Sequence, residues 1–428
     1  MNENTNNHLN KGRRRKIVVV TVAILLVVVS FFSGYFLNLI INGKKINRVT
    51  EVLRLIENVG FILDENGEPR EITEEELADA LVNGVLDRYS KYYNAEEYEE
   101  KQRNGKGISK GVGIAFYDEN LTVDEIVGNS PADRAGIVVG DELSYGEYNG
   151  NVTEFENYSD LIEFFNSVPN DTEFKLAVSR NSQNVEFLLK KCEYKIRYVL
   201  YYDSEFKYTF ESNDNGVMEG KAYQGQGMSE LPNDTAYISL SLFEGDADKQ
   251  LISALDYMKE RGKNKLIFDL RGNGGGYMRI LTEIAGCLIH CNGKNNFTVA
   301  VAESKNAKER FYSGKNRFNT QITSIVVLAD QNTASASECL IGAMIYYGGV
   351  FSQNKLVIEK GENGKTTTLG KGIMQTTYGF IGGGALKLTT ARILWPDEQT
   401  CIHGKGIETI SENQVDAEDV ISRALEVL

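Results

Sequence analysis

The chain has 428 residues, of which 42% are hydrophobic and 25% charged, and a net charge of −14. That length accommodates two or three domains, each with its own core. The acidic balance speaks against a nucleic-acid partner, which calls for a basic face, and three histidines leave few candidates for a histidine-based active site.

The first element is "KGRRRK" (11–16) followed by "IVVVTVAILLVVVSFFSGYFLNLII" (17–41), which carries no charged residue. About 20 helical residues cross a bilayer. Positive charge before the apolar run places residues 1–16 in the cytoplasm as a tail and the rest of the chain outside it. A cleavable signal peptide has a core of about 7–15 apolar residues and a small-residue cleavage site. Here the core is longer and "SFFSGYF" is bulky, so 17–41 reads as an uncleaved, single-pass anchor in the cell membrane.

Residues 46–103 read as a helical region, "INRVTEVLRLIENVGFIL" then "ITEEELADALVNGVLDRYSKYY". The second helix opens with a capping box, Thr73 and Glu76. Leu77, Ala80, Leu81, Val85 and Leu86 recur at helical spacing as an apolar stripe. From residue 104 glycines alternate with short apolar runs and strands become the better reading. "SPADRAGIVVGDEL" (130–143) is a short helix ending at Gly136 with a turn at Gly140-Asp141. "NYSDLIEFFNSV" (157–168) is an amphipathic helix, and "EFKLAVSR" and "NVEFLLKKC" form a hairpin. Residues 104–195 resemble a PDZ domain, with "SKGVGIAF" at its carboxylate-binding loop and "GNSPADRAGIVVGDEL" like the segment that follows. The backbone of Gly111, Val112, Gly113 and Ile114 is expected to hold the C-terminus of a peptide in an N–H nest. The peptide would add as a strand beside residues 114–116, under helix side chains such as Leu161 or Phe164.

Residues 196–234 show no clear period and read as a connector of extended pieces. From "TAYISLSLF" onward strands and helices alternate, through "DADKQLISALDYMKERG", "KLIFDL", "MRILTEIAGCLIH", "SIVVLAD" and "ASECLIGAMIYYG". That pattern implies an α/β core with a largely parallel sheet. Its glycine-rich stretches are not nucleotide sites. In "DLRGNGGGY" Tyr277 stands where a dinucleotide fingerprint requires glycine, and before "GKT" (364–366) Glu359 stands where a phosphate loop does. Five spread cysteines, with Cys287 and Cys291 four apart on one helix, match no standard zinc spacing even beside His290 and His403. Neither a metal nor a cofactor is expected.

Chemistry concentrates at two strand-to-helix turns. "DLRGNGGG" leaves backbone N–H groups at the C-terminal edge of the sheet, suited to an oxyanion. "QNTASASE" puts three hydroxyl residues at the start of a helix. One cap needs one hydroxyl, so Ser335 or Ser337 is left as a candidate nucleophile. A serine without histidine calls for a desolvated lysine. Lys371 in "LGKGIMQ" is the best candidate, flanked by glycines at the mouth of an apolar strand, unlike the solvated Lys355, Lys360 and Lys365. Gln375, four residues on, lies on the same strand face and is placed to hold the lysine by a hydrogen bond.

"DLRGNGGG", "TASASE", "GKGIMQ", "GALKLTTAR" and "GKGIE" stand in the order found in the carboxyl-terminal processing proteases, and the chain resembles that family over roughly residues 70–428. The resemblance implies a multidomain α/β protein: transmembrane helix, helical segment, PDZ domain (104–195), and a Ser/Lys peptidase domain (196–428) with glycine-rich strand–helix turns. It maps the nucleophile to Ser335, the base to Lys371 and its partner to Gln375. It maps the oxyanion donors to the N–H of Ala336 and of Gly275 or Gly276. It implies protein or peptide substrates with free C-termini, gating by the PDZ domain, and homo-oligomers, often dimers. Two features depart from the family pattern. Leu369 replaces an aromatic residue, and the segment from Ser335 to Lys371 is longer than usual, which a surface hairpin would absorb cheaply. The rival reading is a PDZ scaffold whose peptidase-like domain binds peptides without cleaving them.

Overall fold

A computed structural model describes residues 62–63, 69–70, 72–116, 120–213, 217–361 and 363–428. The expected tail at 1–16, the expected span at 17–41 and most of the first expected helix lie outside the described residues. Among the described residues no helix is long and apolar enough to cross a membrane.

Up to residue 81, Ile62–Leu63 pairs antiparallel with Pro69–Arg70, where the sequence reading ended a helix. Asn66-Gly67 and Pro69 are turn formers and helix breakers in the sequence. Helix α1 (Glu74–Val85) begins with the expected capping box. The Glu76 N–H donates to Thr73 Oγ1 at 3.1 Å, and the Thr73 N–H to Glu76 Oε2 at 2.8 Å. Its expected apolar stripe is not a buried face. Leu81 and Val85 are 49% and 73% exposed, and only Val82 is buried.

The sequence reading ran this helix to residue 93, but Asp87 ends it. Its Oδ1 accepts the N–H groups of Tyr89 and Ser90, an Asx turn. Lys91–Tyr93 is then strand β1, and α2 (Ala95–Gly105) follows behind a capping box of Asn94 and Glu97.

The next elements come in the expected order: β2 (Ile108–Gly111), β3 (Ile114–Ala115), β4 (Glu125–Ile126), α3 (Pro131–Ala135), β5 (Glu142–Tyr148), β6 (Asn151–Glu154), α4 (Tyr158–Ser167), β7 (Glu173–Arg180), β8 (Gln183–Lys190) and β9 (Cys192–Lys195). Strands β6 and β9 were not anticipated. An antiparallel sheet of order β8-β7-β5-β6 packs with α4 around Leu143, Leu161, Phe164, Phe174 and Leu176. Gly136 closes α3 at φ 92°, a left-handed conformation that costs glycine nothing.

The core is one eight-stranded sheet of order β12-β11-β10-β13-β14-β17-β18-β21. Its antiparallel side is β10 (Val199–Tyr202), β11 (Phe206–Ser212) and β12 (Met218–Gln224), the segment read as a connector. The reading failed because β12 is a mostly exposed edge with no apolar face to show. The parallel side is β13 (Thr235–Leu240), β14 (Lys265–Asp269), β17 (Ser324–Ala329), β18 (Leu356–Glu359) and β21 (Gln414–Val415).

Helices α5 (Ala247–Glu260), α6 (Met278–Leu288) and α7 (Ala336–Tyr347) cover one face and α8 (Val420–Val427) the other. Both sides of β17 are therefore buried, which explains its unbroken apolar run. Cys287 lies on α6 and Cys291 beyond its end, so the two share no helix face. Strand β18 lies where a surface hairpin was expected, fully inside the sheet.

A second, antiparallel sheet was not foreseen. Its order is β16 (Lys308–Tyr312), β15 (Thr298–Ser304), β20 (Ala385–Leu394), β19 (Ile373–Gly379), with β1 paired to β20.

Candidate active site

Strands β14 and β17 are parallel neighbours, Asp269 opposite Leu328, so the turns that follow them meet at the same edge. Asn273, fully buried in the first turn, stitches them together. Its Nδ2 donates to Leu240 O and its Oδ1 accepts the Gly275 N–H. Its carbonyl takes the Ala334 N–H and the Ser337 hydroxyl, at 2.9 and 3.0 Å. Below it Arg271 spans Asp269 and Glu359, and Tyr237 donates to Asp269.

Gly275 adopts φ 104°, and a Cβ there would stand 2.8 Å from both Ala336 N and Ser335 Cβ. Glycine is thus required where the turns touch. The Gly275 N–H is spent on Asn273. Gly276 bridges Phe243 through the Gly275 carbonyl and the Tyr277 N–H, which leaves its own N–H on the other side. Of the two expected glycine donors, Gly276 is the one whose N–H has no acceptor among the described residues. The Ala336 N–H opens α7 and has no acceptor within its own helix.

The three hydroxyls separate cleanly. Thr333 is buried and donates to Leu270 O, and Ser337 is buried and donates to Asn273 O. Ser335 is partly exposed, at φ 55° and ψ −111° on the junction between β17 and α7. A positive φ on a serine is strained backbone, held by its surroundings.

What holds it is Glu338, a residue the sequence reading left without a role. Its fully buried carboxylate accepts the Ser335 N–H at 2.8 Å and the Lys371 N–H at 2.9 Å on Oε2. On Oε1 it accepts the Gly370 N–H at 2.8 Å and the Thr368 hydroxyl at 2.5 Å. One oxygen thus ties the serine turn to the lysine loop. The S-x-x-E spacing of 335 to 338 was the available signal.

Glycine flanks Lys371 because the 401–406 loop presses on it. A Cβ at Gly370 would lie 2.7 Å from Gly406 N, and one at Gly372 would lie 2.7 Å from His403 N. Burial pushes the Lys371 ammonium below the ordinary lysine range, while Glu338 and Asp87 pull the other way. The ammonium stands 5.3 Å over the ring of Tyr89, so the turn before β1 forms part of the site. No hydrogen bond joins Ser335 Oγ to Lys371 Nζ among the described residues. Gln375 does not make its expected bond to the lysine either. Its Nε2 donates to Thr389 Oγ1 across the β19–β20 pair, at 3.2 Å. Lys355, read as solvated, donates to Ser324 Oγ at 2.6 Å, and burial lowers its pKa too.

Near the other expected site, Gly111 and Gly113 take φ 127° and 77° around Val112, and a Cβ on Gly113 would strike Ser130. Ile114 pairs with Ile126. Leu161 and Phe164 are buried in the interior rather than lining a groove, because they fill the space between α4 and the sheet.

Glu338→Gln places an NH₂ group against two backbone or hydroxyl donors. We expect a loss of about 3 kcal/mol in stability, read by denaturant unfolding, and a large fall in activity.

Residues 234–410 match the model of peptidase family S41. The chain is 27% identical over 380 residues to a probable CtpA-like serine protease of Staphylococcus aureus (strain bovine RF122 / ET3-1), covering 87% of this chain and 67% of that protein. It is 25% identical to its counterpart in Staphylococcus epidermidis (strain ATCC 12228 / FDA PCI 1200), covering 77% of this chain and 58% of that one. Among solved structures it is similar to a photosystem II D1 C-terminal processing protease, with 18% identity, TM-score 0.46, and 83% and 85% of the two chains covered. Over these residues the chain is similar to peptidase family S41 and to CtpA-like serine proteases.

Proposed function

We propose that the protein is a membrane-anchored, extracytoplasmic endopeptidase that captures protein C-termini and cleaves through Ser335 and Lys371. The observation that carries this reading is the Glu338 carboxylate, which binds the accessible, strained serine and the desolvated lysine into one unit. Neutral Lys371 accepts the Ser335 proton as Oγ bonds to the peptide carbonyl carbon. The oxyanion rests on the N–H groups of Ala336 and Gly276. The lysine returns its proton to the leaving amine as the C–N bond breaks, leaving an acyl-enzyme. Water, deprotonated by the same lysine, then releases the acid and frees Ser335. Gln375 acts at one remove, through Thr389 and the strand pair that carries the lysine. A fluorophosphonate tests this. It should label the intact protein, and the labelled peptide should contain Ser335. No labelled serine would favour the peptide-binding scaffold.

Residues 17–41 serve as the anchor, with 1–16 on the cytoplasmic side, and the protein works as a homo-oligomer. Residues 104–195 act as the PDZ domain. Among the described residues β3 pairs only with β4, so its other edge is open to a peptide strand. Amidating the C-terminus of a protein substrate removes the charge that residues 111–114 would hold. Binding should weaken by about 1 kcal/mol or more, measured by titration of acid and amide forms. Equal binding of the two would show that this domain does not read chain ends.

A further inference from the structure

Three lysines converge on one ring beside the candidate active site. Lys91 and Tyr93 lie two apart on β1, and Lys387 of β20 stands directly opposite Lys91. Residues two apart and residues directly opposite lie on one face of a sheet, so these three share a face. Lys101 reaches the same ring from α2. The ammonium groups of Lys91, Lys101 and Lys387 stand 5.0, 5.9 and 5.9 Å from the centroid of Tyr93.

The cluster adjoins both halves of the site. The Lys101 ammonium is also 5.9 Å from the ring of Tyr277, the residue after Gly276, whose N–H donates to the Phe243 carbonyl. On the other side, Tyr89, which carries the Lys371 ammonium over its ring, comes four residues before Tyr93. Four residues of chain span at most about 14 Å. A cleft of ≈ 320 Å³ opens here, with Lys91, Tyr93, Lys101 and Glu244 in its walls, room for a substrate side chain.

The lysines of this cluster lack carboxylates to answer them. Lys91 is paired with Glu97 at 3.1 Å, but among the described residues Lys101 and Lys387 have no ion pair. Asp87 is spent on the N–H groups of Tyr89 and Ser90. Burial raises the Glu244 carboxyl above its ordinary range, against the pull of Lys101, and so favours the neutral acid. Glu100 is exposed at the rim. Lys387 is held below the ordinary lysine range by burial first and then by the lysines around it, with Asp87 opposing, as befits a cation short of a partner.

We propose that this cleft is a substrate subsite for an acidic side chain, with Lys101 and Lys387 as its specificity-determining residues. The inference rests on hydrolysis at Ser335. A glutamate or aspartate a few positions from the scissile bond brings its carboxylate to the two ammonium groups and supplies the counter-ion they lack.

The test uses short peptides amidated at the C-terminus, so that the 111–114 loop has no terminal charge to hold. Each carries glutamate, or its uncharged isostere glutamine, at one position at a time. At one position the glutamate peptide should be cleaved with a kcat/KM about tenfold higher, an advantage that shrinks as salt rises. Lys101→Met and Lys387→Met should each lower that ratio, and together bring it near one. Lys101→Glu should favour lysine over glutamine at the same position. A ratio taken within each variant cancels any general loss of activity. If Lys387→Met fails to fold, Lys101→Met and Lys101→Glu decide alone. Cleavage with no position that favours glutamate, or a preference that the Met variants retain, overturns the proposal. The same ratio is read as Kd in Ser335→Ala. Absence of cleavage with the binding preference intact therefore counts against the peptidase reading alone.

Discussion

Ser335→Ala should abolish peptide hydrolysis, by on the order of 10⁵-fold or more in kcat, and Ser337→Ala should leave most of it. The two serines are two positions apart on one turn, so the contrast isolates the hydroxyl rather than the local fold. The Ser337 hydroxyl is committed to the Asn273 carbonyl in a buried bond of 3.0 Å. Its loss costs about 1 kcal/mol and loosens the glycine turn without removing a reactant. Ser335 is partly exposed, at a positive φ on the turn where β17 meets α7. Steady-state hydrolysis of a short peptide decides the matter, and near-wild-type turnover in Ser335→Ala would falsify the assignment.

Lys371→Arg should be as inactive as Lys371→Ala. Arginine keeps a positive charge over Tyr89 but does not deprotonate near neutral pH, so a charge-only role would let it rescue activity. The pH dependence has a definite sign. Burial lowers the Lys371 pKa in the folded chain, and the proposed base would work only when neutral, so activity should rise with pH through that lowered value. Stability follows the same direction. Between the folded value and the ordinary lysine value the unfolded chain binds more protons, so the folded state gains as pH rises through that window. Lys371→Met should therefore unfold at higher denaturant than wild type at neutral pH while remaining inactive.

Where a residue's role is local, the sequence was a good guide. Helix α7, strand β17 and the turn between them follow from an apolar run meeting small hydroxyl residues, and Lys371 stood out by its flanking glycines. The pattern was silent on what non-local pairing creates. Ser90 and Thr389 meet across 299 residues, and nothing in "DRYSKYY" announces that its turn reaches a lysine near the other end of the chain. Glu338 escaped because a glutamate three residues into a helix reads as ordinary capping. Its second oxygen, turned to Thr368 and Gly370, is visible only once the chain has folded back. Gln375 was expected to hold the lysine, yet its partner is decided by β20, whose register with β19 shifts at a bulge between Met374 and Gln375.

The loop at 401–407 has a bearing on the order in which the site can form. Its backbone presses on Gly370 and Gly372, and the Ile407 N–H donates to Thr368 Oγ1, the hydroxyl that reaches Glu338. The seat of the lysine is therefore finished by residues near the end of the chain, long after the ribosome has made Ser335. A chain made only as far as Lys371 holds Ser335 and Lys371 but not yet the backbone that closes around them.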